Sequence, residues 1–328
     1  MYKAIVVNKD PAGYHCELKT VEDETLPQGD VTIQVQYSSL NYKDGLAISG
    51  KGPIIRQFPM VPGIDLAGTV LHSDSSAFSV GEPVVLTGWG VGEKHPGGLA
   101  QKARVNSQWL IKKPESLTMQ QAMAVGTAGF TAMLCVNALE KQGITPEKGS
   151  VLVTGANGGV GAFAVSFLSR LGYKVVGSTG RPEESDFLMN DLGASEVIHR
   201  AELSQPGKPL QKEKWAAVID TVGSHTLANA CASVIYGGVV AACGMAQGMD
   251  LPASVAPFIL RGVTLVGVDS VMYPQAGRQA VWERIASLAD EHLLNKISTT
   301  VSLDQVKEMA EKLLEGKVRG RIVVNCQA

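Results

Sequence analysis

The sequence predicts an α/β protein in which a doubly wound parallel sheet is inserted into a mainly β domain. Three observations support this prediction. A chain of 328 residues is longer than one typical core, so two domains are expected. Short β patterns fill residues 1–117, whereas strand and helix patterns alternate from residue 150 to about 271. The tail returns to the first pattern, which indicates that it completes the β domain.

The N-terminal part consists of short β patterns separated by Gly, Pro and Asp turns. They are KAIVV, VTIQVQY, LAGTVLHS, PVVLTG and LAQKARV. Thr118 and Gln121 have the spacing of a capping box, so a helix is predicted to begin there. In the tail, NKISTTVSL predicts a strand, Ser302 and Gln305 predict a second capping box, and GRIVVNC predicts a final strand.

The central part predicts a parallel sheet covered on both faces, because short apolar strands alternate with helices. Strands are predicted at 150–154, 174–178, 196–198, 216–220, 239–243 and 264–268. Helices are predicted at 159–171, 183–191 and, after the sheet, 275–292. The predicted domains are an α/β domain at 125–271 and a β domain made of 1–124 and 272–328.

Composition and charge argue against several classes of protein. The chain has 29 Lys and Arg against 31 Asp and Glu, whereas a nucleic-acid-binding protein should be basic. Five scattered cysteines without metal or redox spacing favour free thiols in the cytoplasm. The segment MYKAIVVNKD is typical of a strand rather than a signal peptide, and the apolar stretch 122–136 is interpreted as a buried helix too short to span a membrane.

A glycine-rich loop between a strand and a helix predicts dinucleotide binding. The segment VLVTGANGGVGAFAVSFLSRLGYKVVGSTGR (151–181) contains an apolar strand, the loop, an apolar-faced helix and a second strand. Glycines let the backbone approach a pyrophosphate, and the helix N-terminus offers free N–H groups and a positive dipole end. The alternative is a glycine-rich turn in an unrelated α/β protein. The predicted contacts are Asn157, Gly158, Gly159 and Val160.

The end of the second strand indicates that the dinucleotide is NADPH. An NAD enzyme commonly places a carboxylate there to bind the ribose 2′-hydroxyl. This chain has Ser178, Thr179, Gly180 and Arg181, and hydroxyls with a guanidinium can bind the 2′-phosphate that an acid would repel. Arg200, just after the third strand, is a further candidate for that phosphate. Alternatively, Arg181 is a solvated residue at a helix start, which the following proline favours.

Four motifs resemble the medium-chain dehydrogenase/reductase superfamily over nearly the whole chain: NYKD (41–44), PGIDLAG (62–68), GTAGFTA (126–132) and GANGGVG (155–161). The resemblance implies a Rossmann-type NADP-binding domain inserted into a GroES-like catalytic domain. The zinc branch has Cys where Asn41 stands, a His-Glu pair where Ile64 and Asp65 stand, and a four-cysteine lobe near residues 89–99. Since these ligands are missing, no zinc is expected, and the chain resembles the zinc-independent, quinone oxidoreductase-like branch.

Within that branch, segments spread along the chain resemble the NADPH-dependent acryloyl-CoA reductases. They include SSLNYKDGLAISGKGPIIRQFPMVPGIDLAGTV, VVLTGWGVGEKHPGGLAQKARV, YGGVVAACGMA and PFILRGVTLVGVDSVM. The resemblance implies an acyl-CoA substrate and reduction of acryloyl-CoA to propionyl-CoA. Two alternatives stay open: an NADPH:quinone or general enone reductase, and a non-catalytic NADPH-binding redox sensor.

The turn 41–44 carries the candidate catalytic residues. Reduction of an α,β-unsaturated thioester needs hydride at Cβ, a donor for the enolate oxygen and a proton for Cα. Tyr42 is the first candidate for the donor to the enolate oxygen, and its phenol is expected near the nicotinamide, as a contact of the cofactor. The alternative is that Tyr42 is an aromatic residue that only packs against its neighbours. Asn41 offers an amide donor. Asp65 is either a proton relay or a clamp for the turn, and we favour the clamp, acting through Lys43 or backbone N–H groups.

Further contacts follow from the resemblance and from the position of ligands beyond strand ends. Gly244 and Ser270 follow late strands, and Arg319 lies near the C-terminus, so all three are expected at the cofactor. A homodimer is expected because related architectures often pair through the nucleotide sheet, with residues 264–272 as the candidate edge. The CoA phosphates need a basic rim, for which the candidates are Lys51, Arg56, Arg261, Arg319 and Arg321.

Overall fold

The chain folds into two compact units in the computed structural model, which describes residues 1–11 and 13–328. Unit 1 is Met1–Thr127 with Ser270–Ala328, and unit 2 is Ala128–Asp269. The strands are β1 (Tyr2–Asp10), β2 (Gly13–Val21), β3 (Val31–Leu40), β4 (Asp65–Ser73), β5 (Pro83–Thr87), β6 (Lys102–Val105), β7 (Ile111–Lys112), β8 (Val151–Val153), β9 (Val175–Thr179), β10 (Glu196–His199), β11 (Trp215–Asp220), β12 (Val234–Ala242), β13 (Thr264–Gly267), β14 (Ser298–Ser302) and β15 (Arg321–Asn325). The α-helices are α1 (Tyr42–Ser49), α2 (Met119–Lys141), α3 (Gly159–Arg170), α4 (Ser224–Ala232), α5 (Ala256–Arg261), α6 (Gln275–Leu288), α7 (Glu291–Ile297) and α8 (Val306–Leu314).

Unit 1 is built on two sheets. β1 and β2 form an antiparallel hairpin, and the larger sheet has the order β14-β15-β3-β4-β5-β7, with β6 also paired to β3. Among the strand pairs described for this larger sheet, β14–β15 is parallel and the others are antiparallel. Apolar side chains of the central strands are fully buried together, among them Ile33, Val35, Leu66 and Leu86. The C-terminal strands therefore complete the β domain, as the sequence predicts.

Unit 2 is a parallel sheet with the strand order β10-β9-β8-β11-β12-β13. Numbered within the unit, this is the doubly wound order 3-2-1-4-5-6 of Rossmann-type folds. The strands β8, β9 and β11 are buried along their whole length, as expected for a sheet covered on both faces, and Leu152, Val176, Val218 and Val240 belong to its core. The predicted fold class is confirmed.

Two predicted helices differ from the structure. The predicted helix 275–292 is two helices, α6 and α7, because Asp290 caps the second: its Oδ1 accepts a hydrogen bond from Leu293 N at 2.8 Å. The predicted helix 183–191 is a 3₁₀ turn at Pro182–Glu184 followed by a π-helix at Phe187–Asp191. Apolar periodicity cannot distinguish these tighter and wider turns from an α-helix.

The helix α2 begins at the predicted capping box, where Thr118 N donates to Gln121 Oε1 at 2.9 Å and Gln121 N donates to Thr118 Oγ1 at 3.1 Å. At 23 residues it is longer than the predicted stretch, and its length and composition alone would allow it to cross a membrane. However, 83% of its most apolar 18-residue window is buried, and Gly126 breaks it with φ 50° and ψ −157°. A buried, broken helix is typical of a protein core.

Candidate functional site

The predicted site residues lie in two clusters, one in each unit. In unit 1, Asn41 follows β3 and caps α1, and its backbone N–H donates to Asp44 Oδ2 at 2.8 Å. Asp44 Oδ1 also accepts Ile64 N at 3.0 Å, so this buried carboxylate joins the turn to the start of β4. Lys43 does not pair with Asp44; its Nζ lies 2.8 Å from Glu93 Oε1.

The carboxylate of Asp65 is fully buried and surrounded by donors. Its Oδ2 accepts hydrogen bonds from Ser39 Oγ at 2.6 Å, from Asn41 Nδ2 at 2.9 Å and from Thr127 N at 2.9 Å. Its Oδ1 accepts Thr127 Oγ1 at 2.5 Å. These contacts match the clamp that we favour for Asp65, although its partners are Asn41, Ser39 and Thr127 and not Lys43.

Arg321 closes this cluster from β15. Its guanidinium donates to Asn41 Oδ1 at 2.9 Å, Ser39 Oγ at 2.8 Å and Ala124 O at 3.0 Å, and its side chain is 3% exposed. The prediction of Arg321 in a basic rim for CoA is wrong, because this cation is buried and its donors are used internally. We call Ser39, Asn41, Asp44, Asp65, Thr127 and Arg321 the buried polar cluster.

The break of α2 at Gly126 follows from the same cluster. A Cβ at this position would lie 2.6 Å from Asp65 Oδ2 and 2.7 Å from Arg321 Nη2. Glycine also tolerates the positive φ that the break requires. The break thus lets Thr127 present both its N–H and its hydroxyl to Asp65.

The two candidates at the start of α1 differ in what they can offer a ligand. The Asn41 amide is 9% exposed; its oxygen accepts from Arg321, and its nitrogen lies within bonding distance of Ser39 Oγ, Asp44 Oδ2 and Asp65 Oδ2. Both N–H groups of the amide are therefore used within the cluster. The sequence, by contrast, predicts that this amide donates to the substrate. Tyr42 is 47% exposed, so its phenol is accessible.

Burial changes the protonation of the cluster. It raises the pKa of Asp44 to about 7, an effect to which the neighbouring charge of Asp65 adds and which the N–H groups of Asn41 and Ile64 oppose. Burial also lowers the pKa of Arg321, although the two carboxylates oppose this. The charge of the cluster is therefore sensitive to pH near neutrality.

In unit 2, the glycine-rich loop has the close packing that its glycines predict. A Cβ at Gly161 would lie 2.2 Å from Gly155 O, and Gly155 itself has φ +60°. Gly158 caps α3. The side-chain Nδ2 and Oδ1 of Asn157 are both buried without a hydrogen-bond partner among the described residues. Buried polar atoms normally have partners, so this amide suits a polar ligand in the loop.

The end of β9 carries the hydroxyls and cations predicted for a 2′-phosphate. Ser178 and Thr179 are buried, and Thr179 Oγ1 accepts Arg181 N at 3.0 Å. The exposed side chain of Arg200 lies over Gly180, since a Cβ there would be 2.5 Å from Arg200 Nε. The structure therefore brings Arg200 to the end of β9, as the sequence suggested.

Asp220 is a residue of this region that the sequence reasoning missed. Thr154 Oγ1 and Gly223 N each donate to its carboxylate at 2.7 Å, and Thr221 N donates to Thr154 Oγ1 at 3.0 Å. These bonds join the carboxyl ends of β8 and β11. Burial raises the pKa of Asp220. Gly244 packs on the same segment, where a Cβ would lie 2.1 Å from Thr221 O.

The remaining candidates have different surroundings. Ser270 belongs to unit 1, and its carbonyl accepts Arg278 Nη2 at 3.0 Å; Arg319 is exposed in the same unit. Arg261 was a candidate for the CoA rim, but its guanidinium donates to the carbonyls of Ala232 and Gln211 and lies 3.3 Å from Glu213 Oε1. It is bound within unit 2, so that prediction is wrong.

Comparison with known proteins identifies the family. Two family models match: alcohol dehydrogenase GroES-like domain at residues 27–115 and zinc-binding dehydrogenase at 159–287. The probable acrylyl-CoA reductase AcuI of Escherichia coli is 48% identical over 98% of this chain and 99% of that protein. The chain belongs to the AcuI family of medium-chain dehydrogenases/reductases. The acrylyl-CoA reductase AcuI of Ruegeria pomeroyi is also 48% identical, over all of both chains, and the putative quinone oxidoreductase YhfP of Bacillus subtilis is 44% identical over 99% of this chain and 98% of that protein.

Solved structures of similar proteins contain nicotinamide dinucleotides. The YhdH oxidoreductase of Salmonella enterica, in complex with NADP, has a TM-score of 0.96 and 48% identity over 98% of this chain and 99% of that one. YhfP of Bacillus subtilis, with NAD bound, has a TM-score of 0.94 and 44% identity over 99% of both chains. These AcuI-family structures share the fold of the whole chain.

One of the matching models is named for zinc, but the residues of this chain do not fit a zinc ion. Ile64 has an aliphatic side chain, and the carboxylate of Asp65 and the amide of Asn41 bind other residues of the cluster. Across residues 1–11 and 13–328, no group of three His, Cys, Asp or Glu side chains is arranged to hold a metal. We therefore derive no step from a metal.

Proposed function

We propose that the protein reduces acryloyl-CoA to propionyl-CoA with NADPH. The observation that carries this proposal is the 48% identity, over essentially the whole chain, to two proteins named as acrylyl-CoA reductases. In this reaction the C4 hydride of NADPH forms a C–H bond at Cβ, the C=C π bond breaks, and a proton from water or a side chain completes Cα. The products are NADP⁺ and propionyl-CoA.

The contacts of the phosphate loop support NADPH as the cofactor. The loop residues Asn157, Gly158, Gly159 and Val160 would hold the pyrophosphate, which would supply the missing partners of the Asn157 amide. Ser178, Thr179, Gly180, Arg181 and Arg200 would bind the 2′-phosphate, because hydroxyls and guanidinium groups are its natural donors. Cofactor contacts of Tyr42, Gly244, Ser270 and Arg319 remain predictions.

We propose that Tyr42 donates a hydrogen bond to the enolate oxygen. It follows Asn41, a residue of the buried polar cluster. Its exposure leaves the phenol accessible, whereas Asn41 and Asp65 are buried and bound to each other. We assign Asn41 and Asp65 a positioning role: they fix the start of α1, on which Tyr42 is the first residue. A donor fixed before the substrate arrives needs little reorganisation during the reaction.

A quinone or general enone reductase is the second candidate, because the YhfP relative is named as a putative quinone oxidoreductase. A substrate panel separates the two functions. Acryloyl-CoA, crotonyl-CoA and 1,4-benzoquinone are compared with NADPH and with NADH as the reductant. Our proposal predicts the highest kcat/KM for acryloyl-CoA with NADPH. Turnover of the quinone without turnover of acryloyl-CoA would overturn it, and turnover of nothing would favour the non-catalytic sensor.

We further propose a cytoplasmic homodimer that pairs through unit 2. The five cysteines are free thiols, which suits a reducing compartment. Among the described strands β13 pairs with β12 alone, which leaves its other edge open, and the α5 segment that precedes it exposes Val255, Ile259 and Leu260. An apolar patch beside an open strand edge favours pairing of two copies. Light scattering of the purified protein should give twice the monomer mass of 34.6 kDa.

A further inference from the structure

The loop after β5 holds a tryptophan, and β5 pairs with the strand that begins at Asp65. Thr87, the last residue of β5, is the strand partner of Asp65, and Gly88 N then donates to Ile64 O at 3.1 Å. Trp89 follows, with its own N–H donating to Val271 O at 3.0 Å. Trp89 therefore lies two residues after Thr87, which pairs with Asp65 across the sheet.

The backbone of Trp89 has an unfavourable conformation. Its φ is +58°, in the left-handed region that bulky side chains rarely adopt, and apart from Ser224 it is the only non-glycine with positive φ in the described chain. Gly88 and Gly90, on either side, also have positive φ. Such conformations persist where the surrounding structure fixes them, and they concentrate at ligand-binding positions.

The indole N–H of Trp89 is buried and has no acceptor among the described residues. The ring itself is held by Arg278, whose guanidinium carbon lies 4.6 Å from the ring centroid. Arg278 is 1% exposed and donates to Thr87 O at 2.9 Å, Ser270 O at 3.0 Å and Val271 O at 2.9 Å. Arg278 is fixed by these bonds and supports one face of the indole ring, while the indole N–H has no acceptor among the described residues.

We propose that Trp89 Nε1–H donates a hydrogen bond to a carbonyl oxygen in the acyl-pantetheine part of the CoA substrate. An indole N–H is a single neutral donor, which suits a thioester or amide carbonyl better than a phosphate, and the adjacent Arg278 charge makes it a stronger donor. Because Nε1 has almost no exposed surface, the ring shifts slightly when the ligand binds. This inference rests on the proposed function and assigns a specificity-determining residue to it.

Trp89→Phe tests the proposal, with Trp215→Phe as the matched control. Trp215 in unit 2 also has a buried indole N–H without an acceptor in the described part of the chain, so both variants remove the same type of group. We expect Trp89→Phe to raise the KM for acryloyl-CoA about tenfold, equivalent to about 1.4 kcal/mol, with the Kd for NADPH unchanged. Trp215→Phe should leave both constants within twofold. Two smaller substrates show which carbonyl accepts the bond. Acryloyl-pantetheine has the amide carbonyls and the reacting carbonyl, whereas methyl acrylate has only the reacting carbonyl, so we compare the effect of Trp89→Phe on their KM values.

A second readout does not depend on turnover. The four tryptophans give four indole N–H signals in a ¹⁵N–¹H spectrum, and Trp89→Phe identifies one of them. Adding propionyl-CoA to the NADP⁺-bound wild type should shift that signal downfield. An unmoved signal together with an unchanged KM would overturn the inference while leaving the proposed function intact. If the wild type does not turn over acryloyl-CoA at all, the proposed function itself fails.

Discussion

Arg321 and Asp65 form a buried ion pair, with 3.7 Å between Arg321 Nη2 and Asp65 Oδ2 and side chains that are 3% and 0% exposed. The two charges are bridged by Ser39 Oγ, which accepts from Arg321 and donates to Asp65. The pair links the last strand of the chain to the start of β4, and both side chains also bond to Asn41, the residue that caps α1. The C-terminal strand therefore fixes the position of Tyr42 from far away in sequence.

Removing one charge of this pair should strongly destabilise unit 1. Asp65→Ala leaves the Arg321 cation buried without its counter-charge, which typically costs about 3–5 kcal/mol. Urea denaturation should show the loss. The double variant Asp65→Leu with Arg321→Met removes the uncompensated charge, so it should be more stable than Asp65→Ala. A loss of less than about 1 kcal/mol for Asp65→Ala would contradict a stabilising pair.

Asp44 should make stability fall as pH rises toward neutrality. Burial raises its pKa to about 7 from an ordinary value of 3.8. Between these values the folded state binds more protons than the unfolded state, so the stability that Asp44 contributes is full below about pH 4 and is lost by about pH 7. Asp44→Asn cannot titrate. The stability of the wild type minus that of Asp44→Asn should therefore decrease from pH 5 to pH 8. A constant or increasing difference would refute the raised pKa.

Arg200→Ala should weaken NADPH binding selectively. A charge-assisted hydrogen bond to a phosphate is worth about 1.5–3 kcal/mol, so the KM for NADPH should rise about tenfold or more. The KM for NADH should not change, because NADH has no 2′-phosphate. Arg170→Ala removes an exposed arginine at the C-terminus of α3 and serves as the control. Equal effects on NADPH and NADH would show that Arg200 does not recognise the phosphate.

Tyr42→Phe tests the proposed oxyanion donor. Loss of one oxyanion donor typically lowers kcat about 100- to 1,000-fold, and because Tyr42 is partly exposed we expect a decrease of severalfold or more. The KM for NADPH should change little, since phenylalanine keeps the ring. Tyr236→Phe, at another exposed tyrosine, is the control. An unchanged kcat in Tyr42→Phe would remove Tyr42 from the mechanism.

The features that could be predicted from the sequence are those set by neighbouring residues. The glycine loop, with Gly155 and Gly161 in close contact, follows from a strand, a turn and a helix adjacent in the chain. The same holds for the capping box of Thr118 and Gln121. In each case a short segment carries its own structural signal.

The features that could not be predicted depend on residues far apart in the chain. Arg321 bonds to Asn41, 280 residues away, so neither its burial nor its partners can be read from the segment GRIVV. A charge at the start of an apolar strand was the only available signal. The same reason explains why Asn41 cannot donate its amide N–H to a substrate. The amide is bonded to Asp65 of β4 and to Arg321 of β15, which are distant in the sequence. Asp220 is similar, since its role depends on Thr154, which directly follows β8.

The most direct test of the proposed function is the fate of the hydride. The enzyme is incubated with NADPH carrying two deuterium atoms at C4 of the nicotinamide and with acryloyl-CoA, and the product is analysed by mass spectrometry and NMR. Our account predicts propionyl-CoA with one deuterium, located at Cβ. Recovery of unreacted acryloyl-CoA, or of propionyl-CoA without deuterium at Cβ, would contradict it.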